Sequence, residues 1–380
     1  MPRSGIKSVS GRLPQHASAK AICLQVNRPR DVARRELPTL AWAELMTHAS
    51  DMASSAWDVV IAGAGPAGLS AALVLGRARR KVLLCDTGTP RSWASKEMHG
   101  FLTRDCIAPE EFRRLAHDEL ARYPSVVFRA VEVSAAVRAP DGRFSVTIGK
   151  RARVHSRKLL IATGVFDHLP AVEGFEQFFG TSVFQCPYCD GWETRDVPIA
   201  VYGKRSRGFE MARSLTAWSR DIVLCTDGPA MLSEAQRTQL RRNGIRIMEE
   251  RIERLDGTRR QLREIVFRSG HRLERSALFF NTPSSGQSKL AESLGCQFSR
   301  NGGIKSGQYE ATSVPGVFVA GNIIRDVQLA IVAAAEGTRA AFGINRALTR
   351  EDFERRATGS KRIQHPAVED ADMHSRKRKR

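Results

Sequence analysis

The chain has 380 residues, of which 42% are apolar, so it can bury a large core and is long enough for two or three domains. Its longest apolar runs, such as 329–335, are far too short to cross a membrane, and we expect no membrane association. The formal net charge is +20. We interpret this charge as solvated tails and a soluble surface, and we do not expect nucleic acid as a partner.

The two ends of the chain carry about half of the excess charge. Residues 1–51 hold eight basic and four acidic residues, and residues 355–380 hold nine and three. We expect residues 1–54 and 351–380 to be disordered basic extensions outside the fold. A signal peptide is not indicated, because no apolar segment follows the basic N-terminus. Seven scattered cysteines without framework spacing fit a reducing compartment, which predicts a cytoplasmic location.

A glycine-rich turn follows the first apolar run of the body. Residues 58–62 have the composition of a buried parallel strand, GAGPAG covers residues 63–68, and a helix-prone stretch follows. A second strand at 81–86 ends in an acid, close to where an acid meets the ribose hydroxyls of a bound nucleotide. The glycines suit a tight turn, close approach to a pyrophosphate and close helix–strand packing. These features predict a dinucleotide site formed by Gly63, Gly65, Pro66, Ala67, Gly68 and Asp86.

Further strand-and-turn units follow along the chain. Residues 158–164 and 316–322 each have the pattern of a strand that ends in a small-residue turn. Between them, residues 197–203 open another strand-then-glycine unit, which a helix-prone stretch at 211–218 and a strand at 222–224 continue. We therefore predict an α/β fold of two Rossmann-like, three-layer nucleotide-binding domains, the second inserted into the first. The predicted segments are 55–180 and 301–350 for the outer domain and 181–300 for the inserted one.

The pair Cys186 and Cys189, separated by two residues, suits a dithiol that cycles between open and closed forms. Asp190 follows directly and could offer a proton to a leaving thiolate. The alternatives are half of a zinc site or two core cysteines. Zinc needs about four ligands, and no second CxxC or closely spaced Cys/His pair occurs in the chain. The spacing favours redox chemistry, and we predict no metal site.

Four motifs occur together in a characteristic order: GAGPAG at 63–68, ATG at 162–164, CPYCDG at 186–191 and GVFVAGN at 316–322. Over roughly residues 56–348 the chain resembles the low-molecular-weight thioredoxin reductase family of two-domain flavoproteins. The wording CPYCDGWE resembles a bacterial branch of thioredoxin-reductase-like oxidoreductases, and dithiol oxidases belong to the same wider group. The resemblance implies an FAD-binding outer domain, an NAD(P)-binding-like inserted domain that carries the redox cysteines, and a homodimer.

The resemblance also implies a role for each matching residue. Cys189 would exchange electrons with the flavin, Cys186 would be the interchange thiol, and Asp190 would be the acid/base. FAD would be bound by residues from three segments of the chain, namely Gly63, Gly65, Pro66, Ala67, Gly68, Asp86, Thr163, Gly164, Gly321, Asn322 and Ala330.

The chain departs from the family pattern at several of these positions. Asn322 replaces an Asp that the family has in the FAD domain, and residues 328–330 read Gln-Leu-Ala instead of Arg-Gln-Ala. In the second fingerprint, between Gly203 and Gly208, Arg205 stands at the middle glycine, where it would crowd a pyrophosphate. Asp227 stands where the family has a basic run that grips the 2′-phosphate of NADPH. Binding of a nicotinamide by Gly203, Arg205, Gly208 and Asp227 is therefore a possibility, with NADH at least as plausible as NADPH.

Three functions remain open from the sequence. The first is an FAD-dependent thiol–disulfide oxidoreductase that passes electrons from NAD(P)H through FAD and the Cys186/Cys189 dithiol to a thioredoxin-like protein or a small-molecule disulfide. The second is an FAD-dependent dithiol oxidase that forms a disulfide in a small molecule or protein with oxygen as acceptor. The damaged fingerprint favours the second, because an oxidase needs no nicotinamide. The third is a nonenzymatic flavoprotein that binds a partner or nucleic acid through its basic tails, and the intact CPYCDG argues against it.

Overall fold

The computed structural model of the protein describes residues 56–281 and 288–360. The extension predicted for residues 1–54 and the last twenty residues of the predicted tail lie outside the described residues. The strands are, in chain order, β1 (Ala56–Ala62), β2 (Val82–Cys85), β3 (Val126–Arg129), β4 (Val133–Arg138), β5 (Phe144–Ile148), β6 (Ala152–Ile161), β7 (Val183–Phe184), β8 (Ile199–Tyr202), β9 (Ile222–Cys225), β10 (Arg246–Met248), β11 (Ile252–Thr258), β12 (Gln261–Phe267), β13 (Arg272–Glu274), β14 (Ala277–Phe280) and β15 (Val317–Val319).

The helices alternate with these strands through most of the chain. They are α1 (Pro66–Arg77), α2 (Pro109–Leu120), α3 (Phe175–Phe178), α4 (Pro187–Asp190), α5 (Arg205–Leu215), α6 (Glu234–Arg242), α7 (Lys289–Ser293) and α8 (Ala330–Ser360). Short 3₁₀ turns cover Gln308–Glu310 and Asn322–Ile324. Among the described residues, no helix is both long enough and apolar enough to span a membrane.

The first sheet contains the strands predicted around residues 58–62, 81–86 and 158–162. Strands β3, β2, β1 and β6 lie side by side and parallel, and β15 pairs in parallel with the second half of β6. The first half of β6 pairs antiparallel with β5, which pairs with β4. The apolar run of β1 is buried on both faces of the sheet. Val59 packs against α1 and α8, and Val60 packs toward β4 and β5.

The second sheet has the parallel order β10-β9-β8-β14-β7. Helices α5 and α6 pack on one face through side chains such as Phe209 and Leu240. The antiparallel sheet β11–β13 covers the other face through residues such as Leu255 and Ile265. Each domain is therefore a three-layer α/β unit around a parallel sheet. The predicted fold class, two Rossmann-like domains with the second inserted into the first, is confirmed.

The inserted domain begins and ends earlier than predicted. Phe175 and Phe178 of α3 lie in the core of the second domain, and Glu173 forms a β-bridge with Arg254. At the other end, Leu290 and its neighbours on α7 pack against β4 and β5 of the first domain. The boundaries predicted at residues 181 and 300 are therefore both too far along the chain. The sequence does not predict these boundaries, because contacts with residues far away in the chain decide to which domain α3 and α7 belong.

Helix α8 continues to Ser360, so the boundary of the disordered tail predicted at residue 351 is wrong. The side chain of Arg157, only 11% exposed, forms ion pairs with Asp58 at 2.9 Å and with Glu351 and Asp352 at 2.8 Å each. These two acids anchor the last turns of α8 to the first domain. The net basic charge of residues 351–380 predicts a disordered tail and gives no sign that these two acids form ion pairs.

Candidate active site

Three turns predicted from the sequence meet at the carboxyl edge of the first sheet. Strands β1, β6 and β15 are parallel, so their carboxyl ends lie at the same edge, where α/β folds bind ligands. A Cβ atom on Gly63, after β1, would lie 2.3 Å from the carbonyl oxygen of Ala162, after β6. A Cβ atom on Gly321, after β15, would lie 3.1 Å from the Cβ of Ala67. Only glycine permits the first approach, and together these contacts bring the three segments into one site.

The turn between β1 and α1 forms an open cradle. Gly63 has φ = +106°, and a Cβ atom on Gly68 would lie 1.8 Å from the carbonyl oxygen of Gly63, so both glycines are required for the tight turn and the helix–strand packing. At Gly65, by contrast, no heavy atom of the described chain outside residues 64–66 lies within 4 Å of the Cβ position. This free space lies before α1, which begins with Pro66 and Ala67. The cradle fits the pyrophosphate of a dinucleotide such as FAD.

Asp86 lies beside this cradle. One carboxylate oxygen accepts a hydrogen bond from the backbone N–H of Ala64 at 2.5 Å, and the other accepts one from Gly88 at 2.6 Å. These bonds hold the fingerprint turn against the end of β2. Because a carboxylate can accept about four hydrogen bonds, Asp86 can still receive ribose hydroxyls.

The remaining residues predicted to contact FAD lie around the same edge. Thr163 and Gly164 follow β6, with Thr163 exposed and Gly164 at φ = +68°. Asn322 opens the 3₁₀ turn after β15, and Ala330 is the first residue of α8. Sequence reasoning missed Glu336 on α8. Its carboxylate accepts the N–H of Gly321 at 2.7 Å, and burial raises its pKa to about 6. No short motif marks this residue, because the contact spans fifteen residues.

Cys186 and Cys189 are joined by a disulfide, with their Cα atoms 5.2 Å apart. Cys186 lies at the start of the single helical turn α4, and the backbone N–H of Cys189 points at its sulfur at 3.1 Å. Such a donor favours the thiolate form of a cysteine. Tyr188, between the two cysteines, is 72% exposed, whereas Pro187 is buried. Cys186 and Cys189 are themselves half-buried, so the disulfide lies on a short helical turn and is partly accessible.

Asp190 ends this turn, and its backbone N–H bonds the carbonyl oxygen of Cys186 at 3.1 Å. Burial, with a smaller contribution from the negative charge of Glu193, raises the pKa of its carboxyl to about 7. The group therefore holds its proton near neutral pH and can exchange it there. This property suits the acid/base role that the resemblance implies for Asp190.

A loop of the first domain reaches toward the turn that carries Cys186 and Cys189, here called the redox turn. The sequence did not predict this contact. Nδ1 of His99 lies 3.8 Å from a carboxylate oxygen of Glu193. Arg91 on the same loop donates to Asp167 at 2.8 Å and to the side-chain oxygen of Gln328 at 2.5 Å. It also reaches Gln185, the residue before Cys186, at 3.5 Å. Arg91 thus links the turn after β6, the start of α8 and the redox turn.

The second glycine-rich turn, at residues 203–208, keeps the glycines that allow close helix–strand packing. It lacks the open space found at Gly65 in the first turn. A Cβ atom on Gly208 would lie 2.6 Å from the carbonyl oxygen of Gly203, so helix α5 packs closely on β8. Arg205, at the middle position, has φ = +55° and donates its backbone N–H to the carbonyl oxygen of Ala230 at 2.9 Å. Its guanidinium contacts Met231 rather than an open cradle. Asp227 follows β9 as predicted, but its carboxylate accepts the N–H of Ile252 at 2.9 Å. The middle position of this turn therefore lacks the open space that the first turn has at Gly65.

Other thiols in the described chain are not suited to exchange. Cys85, Cys225 and Cys296 are buried and unpaired. Burial raises the pKa of Cys85 and of Cys225 to about 12, and it also raises the pKa of Cys296. Thiols of this kind are inert, because the thiolate is the reactive form.

Comparison with known proteins agrees with this geometry. The family described as pyridine nucleotide-disulphide oxidoreductase matches residues 57–337. A protein of Arthroderma benhamiae named probable thioredoxin reductase is 32% identical in an alignment of 301 positions that covers 71% of this chain and 74% of that protein. The family match at residues 57–337 includes both domains and the turn that carries the two cysteines.

Solved structures are similar over most of the chain. The crystal structure of HlmI is 33% identical with a TM-score of 0.79, and the similarity covers 82% of this chain and 98% of that one. The oxidoreductase from Agrobacterium tumefaciens is 30% identical with a TM-score of 0.72, covering 78% of this chain and 99% of that one.

Proposed function

The chain belongs to the pyridine nucleotide-disulphide oxidoreductase family, within its low-molecular-weight thioredoxin reductase group, and we propose that it is an FAD-dependent thiol–disulfide oxidoreductase. The observation that supports this most directly is the Cys186–Cys189 disulfide, which is accessible and followed by a carboxyl with a pKa of about 7. The open cradle at Gly65 supports FAD as the cofactor. When bound, FAD supplies a two-electron partner for the cysteine pair.

The chemistry proceeds by exchange of one disulfide for another. A substrate thiolate attacks the sulfur of Cys186, the bond to Cys189 breaks, and Cys189 leaves as a thiolate. The Asp190 carboxyl offers the proton that this thiolate takes up. The second substrate thiol then attacks the mixed disulfide and releases Cys186. The substrate has lost two electrons and two protons, which the enzyme cysteines have gained. The reverse sequence reduces a substrate disulfide.

Two directions of electron flow are candidates. The family implies supply from NAD(P)H and reduction of a thioredoxin-like protein or a small-molecule disulfide. The alternative is oxidation of a dithiol, R(SH)₂ + O₂ giving the disulfide of R and H₂O₂. The contact of Arg205 with Ala230 favours the alternative, because it closes the second fingerprint. The homodimer and the cytoplasmic location remain predictions from the sequence.

Anaerobic reduction of the purified yellow protein by dithiothreitol tests the shared chemistry. We expect the flavin absorbance to bleach in the natural protein but not in Cys186→Ser or Cys189→Ser, with FAD still bound in both variants. Cys296→Ala is the matched control, because this thiol is buried, and it should bleach at the natural rate. Unchanged bleaching in either redox variant would refute the role assigned to the pair.

A further inference from the structure

The start of α5 is the place where a dinucleotide would bind in the second domain. In this fold the pyrophosphate lies against the middle residue of the glycine-rich turn and the first N–H groups of the following helix. Here the N–H of Arg205 is already bonded to Ala230 at 2.9 Å. The carbonyl that accepts it belongs to the loop of residues 227–231, which follows β9. The N–H group nearest to the expected pyrophosphate position is therefore already hydrogen-bonded within the protein.

The 227–231 loop is held in this place from several sides. Nζ of Lys204 donates to the carbonyl oxygen of Asp227 at 2.7 Å, and Arg251 donates to the same oxygen at 2.9 Å. The N–H of Ala230 donates to the carboxylate of Glu249 at 2.8 Å. Ala230 is completely buried. The loop is thus a packed part of the domain, fixed by two cations and one carboxylate.

The acid expected to receive the ribose is also engaged. The Asp227 carboxylate accepts the N–H of Ile252 at 2.9 Å and lies 3.7 Å from the guanidinium of Arg251. Its side chain is only 19% exposed, and its backbone has φ = +48°. Asp227 therefore fixes the loop to the start of β11. Because a carboxylate can accept about four hydrogen bonds, Asp227 keeps capacity for a ribose, and the closure of the site depends on Arg205.

The two domains thus differ at their equivalent turns, with open space at Gly65 and a bonded arginine at Arg205. On the basis of the proposed function, we infer that the second domain binds no nicotinamide dinucleotide and that a dithiol at Cys186–Cys189 supplies the electrons. In that step the dithiol loses two electrons and two protons and becomes a disulfide. The Cys186–Cys189 bond breaks, and both cysteines become thiols.

A binding measurement on the holoprotein tests the closed site without relying on turnover. Isothermal titration with NADH and with NADPH should show no saturable heat up to about 1 mM, where a nicotinamide enzyme would be close to saturated. Anaerobic addition of either should leave the flavin absorbance unchanged, whereas dithiothreitol should bleach it. Saturable binding of either nucleotide, or bleaching by it, would overturn the inference. Failure of dithiothreitol to bleach would overturn the donor assignment and the proposed function, while the binding data would still decide the closed site.

Amide hydrogen exchange supplies a second readout with an internal control. Removal and return of FAD should change the exchange of residues 63–68 by about tenfold or more, because the cradle gains a ligand. NADH should leave the exchange of residues 204–208 unchanged within about twofold. A slowing of that segment by NADH comparable to the effect of FAD on 63–68 would contradict the closed site.

Discussion

Gly65 and Arg205 stand at the same position in two glycine-rich turns, each between a parallel strand and the helix that follows it. Gly65 faces free space, whereas the backbone N–H of Arg205 is bonded to the carbonyl of Ala230. The last glycine of each turn, Gly68 or Gly208, packs against the carbonyl of the first one, so this helix–strand contact is shared. The middle residue and the loop behind it differ between the two turns. Two domains of one architecture therefore present different surfaces to a nucleotide.

Gly65→Ala should weaken FAD binding without unfolding the protein. Gly65 has φ = −73°, which alanine adopts without strain, and its Cβ would enter the free space that the pyrophosphate needs. We expect a loss of about tenfold or more in FAD affinity, or about 1.4 kcal/mol, in fluorescence titration of the apoprotein. Gly68→Ala is the contrasting variant, because its Cβ would lie 1.8 Å from a carbonyl oxygen and should destabilise the fold itself. Natural FAD affinity in Gly65→Ala would refute the position of the cradle.

Asp190→Asn should remove a pH dependence from the reduction of the flavin by dithiols. With a pKa of about 7, the carboxyl carries its proton below neutrality and can give it to the leaving Cys189 thiolate. Stopped-flow rates of the natural protein divided by those of the variant cancel the ionisation of the substrate thiol. This ratio should be large at pH 6 and fall toward one above pH 8. A ratio that does not change with pH would contradict the acid role.

The same substitution should change how stability depends on pH. The pKa of Asp190 in the folded protein, about 7, is above the value of about 3.9 expected for the unfolded chain. Between these values the native state binds the proton and the unfolded state does not, so this group makes the free energy of unfolding fall as pH rises from about 4 to 7. Asp190→Asn should therefore gain stability relative to the natural protein between pH 5 and pH 8. Urea unfolding at both pH values measures the difference, and an equal difference at both would show that the pKa is not raised.

Removal of residues 351–380 should destabilise the first domain, although the net charge marks them as a tail. In the shortened chain the largely buried Arg157 loses two of its three ion pairs and keeps the one with Asp58. Because Glu351 and Asp352 are each about one third exposed, we expect a loss of about 2 kcal/mol, less than for a fully buried pair. A chain that ends at residue 360 keeps these acids and is the matched control. Equal thermal midpoints for both chains would refute the anchoring role.

Local patterns predicted much of this molecule. The strand, turn and helix around Gly63, Gly65 and Gly68 follow from a few consecutive residues whose roles are geometric, and the structure has them at the predicted positions. The spacing of Cys186 and Cys189 likewise requires only one helical turn between them, and the disulfide forms there. Features of this kind depend on residues close in sequence, so a single sequence contains the information.

Other features depend on contacts between residues far apart in the chain. The crowding expected at Arg205 was visible in the sequence, but its bond to Ala230 was not, because it joins two turns twenty-five residues apart. The link of His99 with Glu193 spans ninety-four residues, and although Glu193 ends the CPYCDGWE segment, no local pattern marks His99 as its partner. The end of α8 was missed for the same reason, since Glu351 is held by a guanidinium from β6.

The placement of the cysteines has a consequence for how this chain could change over generations. Cys186 and Cys189 are carried by the inserted domain, immediately after β7, and not by the outer domain with its open cradle. A lineage that ceased to use a second nucleotide would therefore lose its electron-transfer pair if it discarded that domain. Such a history would leave an inserted domain of full size. Its 227–231 loop would occupy the former nucleotide site, and the turn with Cys186 and Cys189 would be retained.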